Sequence, residues 1–137
     1  FGELPNTWKL IHGRVEEAQF SGQFDRVIFD MLAPWDCLES AFQALIPGGV
    51  LCCYVATTTQ LSKTAEALKG RGDFSEPESF ETLLRSWHHE GLAVRPMHSM
   101  NAHTGFLLFT RKLAEGTPPI RRKRRPSKGQ IENSEIN

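Results

Sequence analysis

Asp30 closes a short run of β-branched and aromatic residues, Phe24-Asp25-Arg26-Val27-Ile28-Phe29-Asp30, and Met31-Leu32-Ala33-Pro34-Trp35 follow. A carboxylate at the carboxyl end of a strand in an open α/β sheet stands where such folds bind ligands. It accepts a hydrogen bond from an amine, Pro34 shapes the turn, and Trp35 offers a flat apolar wall. The same residues also suit an Asp that merely caps a turn, and position alone leaves the two readings level. Tyr54 lies near the end of the next apolar run, where its phenol suits either a ligand wall or a core position with a satisfied hydroxyl. His88 and His89 are adjacent and lack a third ligand at a plausible spacing, so no metal site is expected. Cys37, Cys52 and Cys53 give neither a disulfide framework nor a CxxC spacing, which points to a reducing, intracellular compartment.

Positioning these groups takes alternating strands and helices. Residues 8–12 read as a short strand ended by Gly13, and residues 24–30 as a second. Asp36 is a good N-cap for a helix over 37–45, with Leu38, Ala41, Phe42 and Leu45 at helical spacing and Pro47-Gly48-Gly49 as its stop. Residues 50–56 are continuously apolar, as a strand covered on both faces would be. One of Thr57, Thr58 and Thr59 caps a helix over 60–69, ended by Gly70-Arg71-Gly72. Residues 80–87 fit helix or strand, and the βαβ order favours a strand. A long connection over 88–103 leads to a final strand over 104–112. Such alternation predicts a parallel sheet with helical crossovers.

The chain has 137 residues, enough for one modest domain, and is 39% hydrophobic and 23% charged. Disordered, collagenous and membrane classes are excluded by this composition, and no apolar run approaches the roughly 18 residues of a transmembrane helix. Its 16 basic and 16 acidic residues cancel only in sum. Residues 1–110 carry a net −5 and residues 111–137 a net +5. The division expected is a folded body over 1–113 and a basic, disordered tail over 114–137.

Three blocks, FDRVIFDMLAPW, PGGVLCCYVATTTQLS and RSWHHEGLAVRPMHSMNAHTGFLLFTRKL, occur in this order. Together they resemble the C-terminal part of the bacterial tRNA (adenine-58-N1)-methyltransferases over roughly residues 8–112, with Asp-x-x-x-Pro-Trp the most informative block. The resemblance implies a Rossmann-like class I fold dependent on S-adenosylmethionine, with the N-terminal strands outside this chain. It implies that Asp30 is the catalytic acid beside the target adenine, accepting a hydrogen bond from the N6 amine, and that Tyr54 walls the adenine pocket. The resemblance also sets Pro34, Trp35, Gln60 and His103 at substrate-facing positions, while Gln60 equally suits a plain surface position on its helix and His103 the turn into the final strand. Arg121, Arg122, Lys123, Arg124 and Arg125 suit tRNA phosphates, a nuclear-localisation pattern or a merely solubilising tail.

On the cofactor side, the resemblance implies that Asp30 and Arg14 mark the edge of the S-adenosylmethionine pocket. The family's glycine-rich loop has no counterpart in these residues. Gly13-Arg14 stands where the family has Gly-Asp, and a guanidinium cannot accept from an adenine amine. Glu16 or a backbone group would have to substitute. The expectation is therefore a C-terminal piece of a longer cytoplasmic enzyme, active at full length and inactive alone, with Val27, Ile28 and Phe29 on an unpaired sheet edge. The partners implied are tRNA and further copies in a homotetramer, with no membrane. Two alternatives stand beside it: a non-catalytic RNA-binding or partner subunit of the same fold, and a class I methyltransferase with a non-RNA substrate.

Overall fold

Leu45–Val55 form the longest strand among the described residues, eleven residues whose side chains alternate between two faces from Gly49 onward. The computed structural model describes residues 7–20, 22–102 and 105–120. Strand β1 (Phe24–Asp30) runs parallel to this strand, β2, and the link between them holds a 3-10 turn, Pro34–Cys37, and helix α1 (Leu38–Ala44). Helix α2 (Thr58–Arg71) follows β2. The chain continues through β3 (Glu78–Phe80), β4 (Leu83–Leu84), β5 (Trp87–Glu90), β6 (Ala93–Pro96), β7 (Asn101–Ala102) and β8 (Phe106–Arg111). The main sheet has the order β1-β2-β8-β3, with β8 antiparallel to both neighbours. β4 pairs with β7 and β5 with β6 in two small sheets.

Register decides which side chains share a face. Phe29, Cys53 and Leu108 align across three strands, as do Val27, Leu51 and Thr110. That face is covered: Phe29, Leu51, Cys53 and Leu108 pack with Leu38 and Ala41 of α1, Leu68 of α2, and Leu45 and Phe74. Burying each such leucine contributes about 1.5–3 kcal/mol. On the opposite face stand Ile28, Cys52 and Phe109, then Asp30, Tyr54 and Leu107. Among the described residues no helix packs over this second face, and Ile28 is 71% exposed. The outer edge of β1 likewise has no strand partner among them.

Charged side chains lock the helices in place. Lys112 Nζ donates to the carbonyls of Phe42 (2.7 Å) and Leu45 (2.8 Å), satisfying the C-terminal end of α1. Arg71 joins Glu39 of α1 (2.9 Å) to Asp73. Gly72 closes α2 in the left-handed conformation, at φ 76°.

Several expectations need correction. Residues 8–12 form no strand; Trp8, Leu10 and Ile11 are exposed, with no ladder partner among the described residues. Asp36 caps nothing, because Pro34 starts a turn two residues earlier and Asp36 falls inside it. The helix over 37–45 is shortened to seven residues, and Pro47, Gly48 and Gly49 lie within β2, where the register with β1 slips. The strand expected over 80–87 is broken in three. β3 ends at Phe80 because its partner is then Leu107, one residue from the start of β8. The connection over 88–103 contains the β5–β6 hairpin, turned at Gly91 with φ 54°. The last strand runs antiparallel, so the sheet is mixed.

Burial pushes the Cys53 thiol up to about 12, and the neighbouring Cys52 adds to the effect. Cys37 is also buried, whereas Cys52 is half-buried on the open face. N-ethylmaleimide at pH 8.5 should therefore label Cys52 at least ~10-fold faster than Cys37 or Cys53 until denaturant is added. Peptide mapping by mass spectrometry reads this, and equal rates for Cys52 and Cys53 would contradict the assignment of faces.

Candidate functional site

Asp30 and Tyr54 are register partners at the carboxyl ends of two adjacent parallel strands. Their side chains therefore leave the sheet on the same face, the one that α1 and α2 do not cover. Asp30 is exposed and Tyr54 half-buried. Two groups of different chemistry thus stand side by side: a carboxylate that accepts hydrogen bonds and an aromatic ring with a hydroxyl at its tip.

The loop after Asp30 is held from two directions. Pro34 occupies the first position of the 3-10 turn and its side chain is fully buried, so it fixes the turn from within. Trp35 is half-buried, with Lys63 Nζ of α2 4.1 Å from its ring centroid, a cation–π contact. One face of the expected apolar wall is therefore already occupied.

Gln60 makes the second attachment. Thr57 and Gln60 form a capping box at the start of α2: Gln60 N donates to Thr57 Oγ1 (3.2 Å) and Thr57 N to Gln60 Oε1 (3.1 Å). The Thr57 hydroxyl also donates to Oε1, at 3.0 Å. The other end of the amide, Nε2, donates to the Leu32 carbonyl at 2.9 Å. Both ends of the Gln60 amide are thus engaged by the protein. Through these contacts Gln60 ties the loop that follows Asp30 to the N-terminus of α2.

Arg14 is exposed and reaches Glu16 (3.0 Å) and Glu17 (3.8 Å). A backbone hydrogen bond, then the Arg14 guanidinium, holds the Glu16 carboxyl below the usual carboxylate range. The acceptor that Glu16 offers is therefore already paired to the donor beside it. His88 lies 3.4 Å from Glu90 on the β5–β6 hairpin. Among the described residues no three His, Cys, Asp or Glu side chains gather as metal ligands do. His103, Arg121, Arg122, Lys123, Arg124 and Arg125 lie outside the described residues.

Two participants went unnoticed in the sequence. Lys63 gives no local signal, because its partner Trp35 is distant in the chain. Gly105 is buried, and a Cβ built on it would fall 2.6 Å from Tyr54 Cζ and Oη. A glycine at the edge of an otherwise apolar strand is a recognised sign of such close approach.

The family model described as tRNA methyltransferase complex GCD14 subunit matches residues 10–93. The tRNA (adenine(58)-N(1))-methyltransferase TrmI of Thermus thermophilus is 30% identical over 101 residues, which are 73% of this chain and 39% of that protein. The crystal structure of the tRNA (m1A58) methyltransferase TrmI from Aquifex aeolicus superposes with a TM-score of 0.65 at 29% identity, covering 72% of this chain and 39% of that one. An S-adenosylmethionine-dependent O-methyltransferase from Thermotoga maritima gives a TM-score of 0.69 at 26% identity, covering 82% and 40%. The fold is therefore that of the class I methyltransferases, and the chain spans about two fifths of the length of these relatives.

The two ends of the Gln60 amide can be separated by substitution. Gln60→Ala removes both attachments and should lower stability by about 1–2 kcal/mol in thermal unfolding. Gln60→Glu keeps the cap acceptor but cannot donate to Leu32. It should hold stability near the parent while amide exchange over residues 33–37 quickens. Unchanged exchange in Gln60→Glu would show that the Leu32 contact does not restrain the loop.

Proposed function

The chain belongs to the family of the tRNA methyltransferase complex GCD14 subunit, and from that membership we propose that it supplies the acceptor half of a tRNA (adenine-N1)-methyltransferase acting at position 58 in the T-loop. The observation that carries this reading is the pairing of Asp30 with Tyr54 at adjacent strand ends, on the open face of the sheet. In the full-length enzyme the Asp30 carboxylate accepts a hydrogen bond from the adenine N6 amine. That hydrogen bond raises electron density at N1, the nucleophile, and Asp30 is placed to take the proton that the product sheds. Tyr54 walls the base, and the fixed loop from Leu32 to Trp35 sets the depth of the pocket. S-adenosylmethionine, when bound, supplies the methyl group on a sulfonium.

The described residues fit that cofactor only at the Asp30 edge. At Arg14 a donor, already paired with Glu16 and Glu17, stands where an adenine amine needs an acceptor. This one observation favours a second reading, a non-catalytic partner subunit of the same fold. A methyltransferase acting on a non-RNA substrate fits the open face but not the basic run at 121–125.

A tRNA substrate implies a cytoplasmic location, and no helix among the described residues is long and apolar enough to cross a membrane. Self-association, as the homotetramer that the family resemblance suggests, would use the β4 and β5–β6 region, where Leu83, Leu84, Trp87, Leu92 and Val94 are all more than half exposed. The segment over 114–137 acts as a phosphate-binding tail, appended to the catalytic body over 1–113.

Asp30→Asn should cut methyl transfer to tRNA by about 10²–10⁴-fold while tRNA affinity stays within twofold; unchanged transfer would remove Asp30 from catalysis. Deleting residues 118–137 should lower the slope of log affinity against log salt by about 1 for each phosphate that the tail neutralises. An unaltered slope would leave the tail without a role in tRNA binding. Leu92→Lys with Val94→Lys should shift the assembly to smaller species in light scattering, and an unchanged mass would place the interface elsewhere.

A further inference from the structure

Tyr54 reaches across its own sheet. On β2 its register partner in β8 is Leu107, and Val55 faces Phe106. Gly105 precedes these residues on the same chain, two positions from Leu107, and so shares a face with both Leu107 and Tyr54. The phenol ring lies diagonally over this glycine. A Cβ at position 105 would sit 2.6 Å from Cζ, 2.6 Å from Oη and 2.7 Å from Cε2 of Tyr54, and within 4 Å it has no nearer neighbour than this ring. Approaches under 3.0 Å do not survive, so a methyl group there must displace the ring. The ring's far end is what collides, and it is the part of Tyr54 that turns most easily about its own side-chain bonds. Gly105 itself is buried, which leaves an added methyl no route toward solvent.

We infer that Gly105 is a positioning residue: its missing side chain is the seat of the Tyr54 ring and fixes the gap between that ring and Asp30. The inference rests on the reading of Tyr54 as a wall of the acceptor pocket and adds what sets the width of that pocket. The loop that follows Asp30 is anchored from one side, through the Leu32–Gln60 and Trp35–Lys63 contacts. Tyr54 is anchored from the other, against bare backbone. A ring lifted off Gly105 would enter the space that the base needs, so the damage should appear in the fit of the acceptor.

The test is a double-mutant cycle in the full-length protein, read by two independent observables. With 3-fluorotyrosine incorporated, the Tyr54 resonance is identified by its disappearance in Tyr54→Phe. Gly105→Ala should move that resonance, lower kcat for tRNA methylation at least ~10-fold and weaken binding of the probe AMP at least ~5-fold. In a Tyr54→Ala background, where the ring is gone, Gly105→Ala should change both quantities less than twofold further. If Gly105→Ala does not fold, the double variant should fold again, because the collision has been removed. An unmoved resonance in Gly105→Ala would overturn the seat while leaving the roles of Asp30 and Tyr54 intact. Multiplying losses in the double variant, or its failure to fold where Tyr54→Ala folds, would overturn the coupling. Full activity and AMP binding in Tyr54→Ala would overturn the reading of Tyr54, and the inference with it.

Discussion

The parallel ladder between β1 and β2 is the constraint on which the remaining geometry depends. Side chains alternate along a strand with a period of two, so a slip of one residue would send Asp30 to the covered face and bring Ile28 with it. The register that opposes Asp30 to Tyr54 also opposes Phe29 to Cys53. Burial of the second pair therefore enforces exposure of the first. The slip between Phe24 and Arg26 falls at the far end of the ladder, near Pro47 and Gly49, and leaves the five pairs next to the site in step. Core packing and site geometry are two readings of one register.

Around that ladder, polar groups do the local fixing. α2 could cover the sheet without touching the loop after Asp30, since its apolar contacts lie along Leu61, Thr64, Ala65 and Leu68. What joins helix to loop is one amide with two ends and one ammonium over a ring. Capping α2 and holding Leu32 are thus not separate tasks. The helix start and the site loop are positioned by the same residue, which ties the local order of one to that of the other.

Much of this was legible in the chain itself. β1, α2 with its threonine cap, and β8 announce themselves by periodicity and by Gly72, and Asp30 stands where an open sheet binds ligands. Other features were not legible, for physical reasons. A single sequence shows which residues favour extended backbone but not whether a partner strand is at hand; residues 8–12 have the composition of a strand and no ladder partner among the described residues. Residues 80–87 have the opposite defect, a strand whose partner runs out at Leu107. The hairpin over 87–96 carries exposed apolar side chains on an unequal pattern, which hides its period. Gln60 was visible as a helix-start residue, but its hydrogen bond to Leu32 spans 28 positions and no spacing rule reports it. Gly105 was readable only as a residue of the strand beside it.

The place of β8 has a consequence for how the chain reaches this structure. Among the described residues β8, the last strand in chain order, is the third in space, between β2 and β3, so β3 has no neighbour in this sheet until residues near 110 exist. Pairings such as Val50 with Arg111 close loops of some sixty residues. Local helices can form early, but the sheet cannot be completed by zipping from one end. Folding of the sheet must wait for β8 to be synthesised and seat itself beside β2, after which β3 can pair with its free edge. That order favours slow acquisition of the sheet and leaves apolar strands uncovered during elongation at the ribosome.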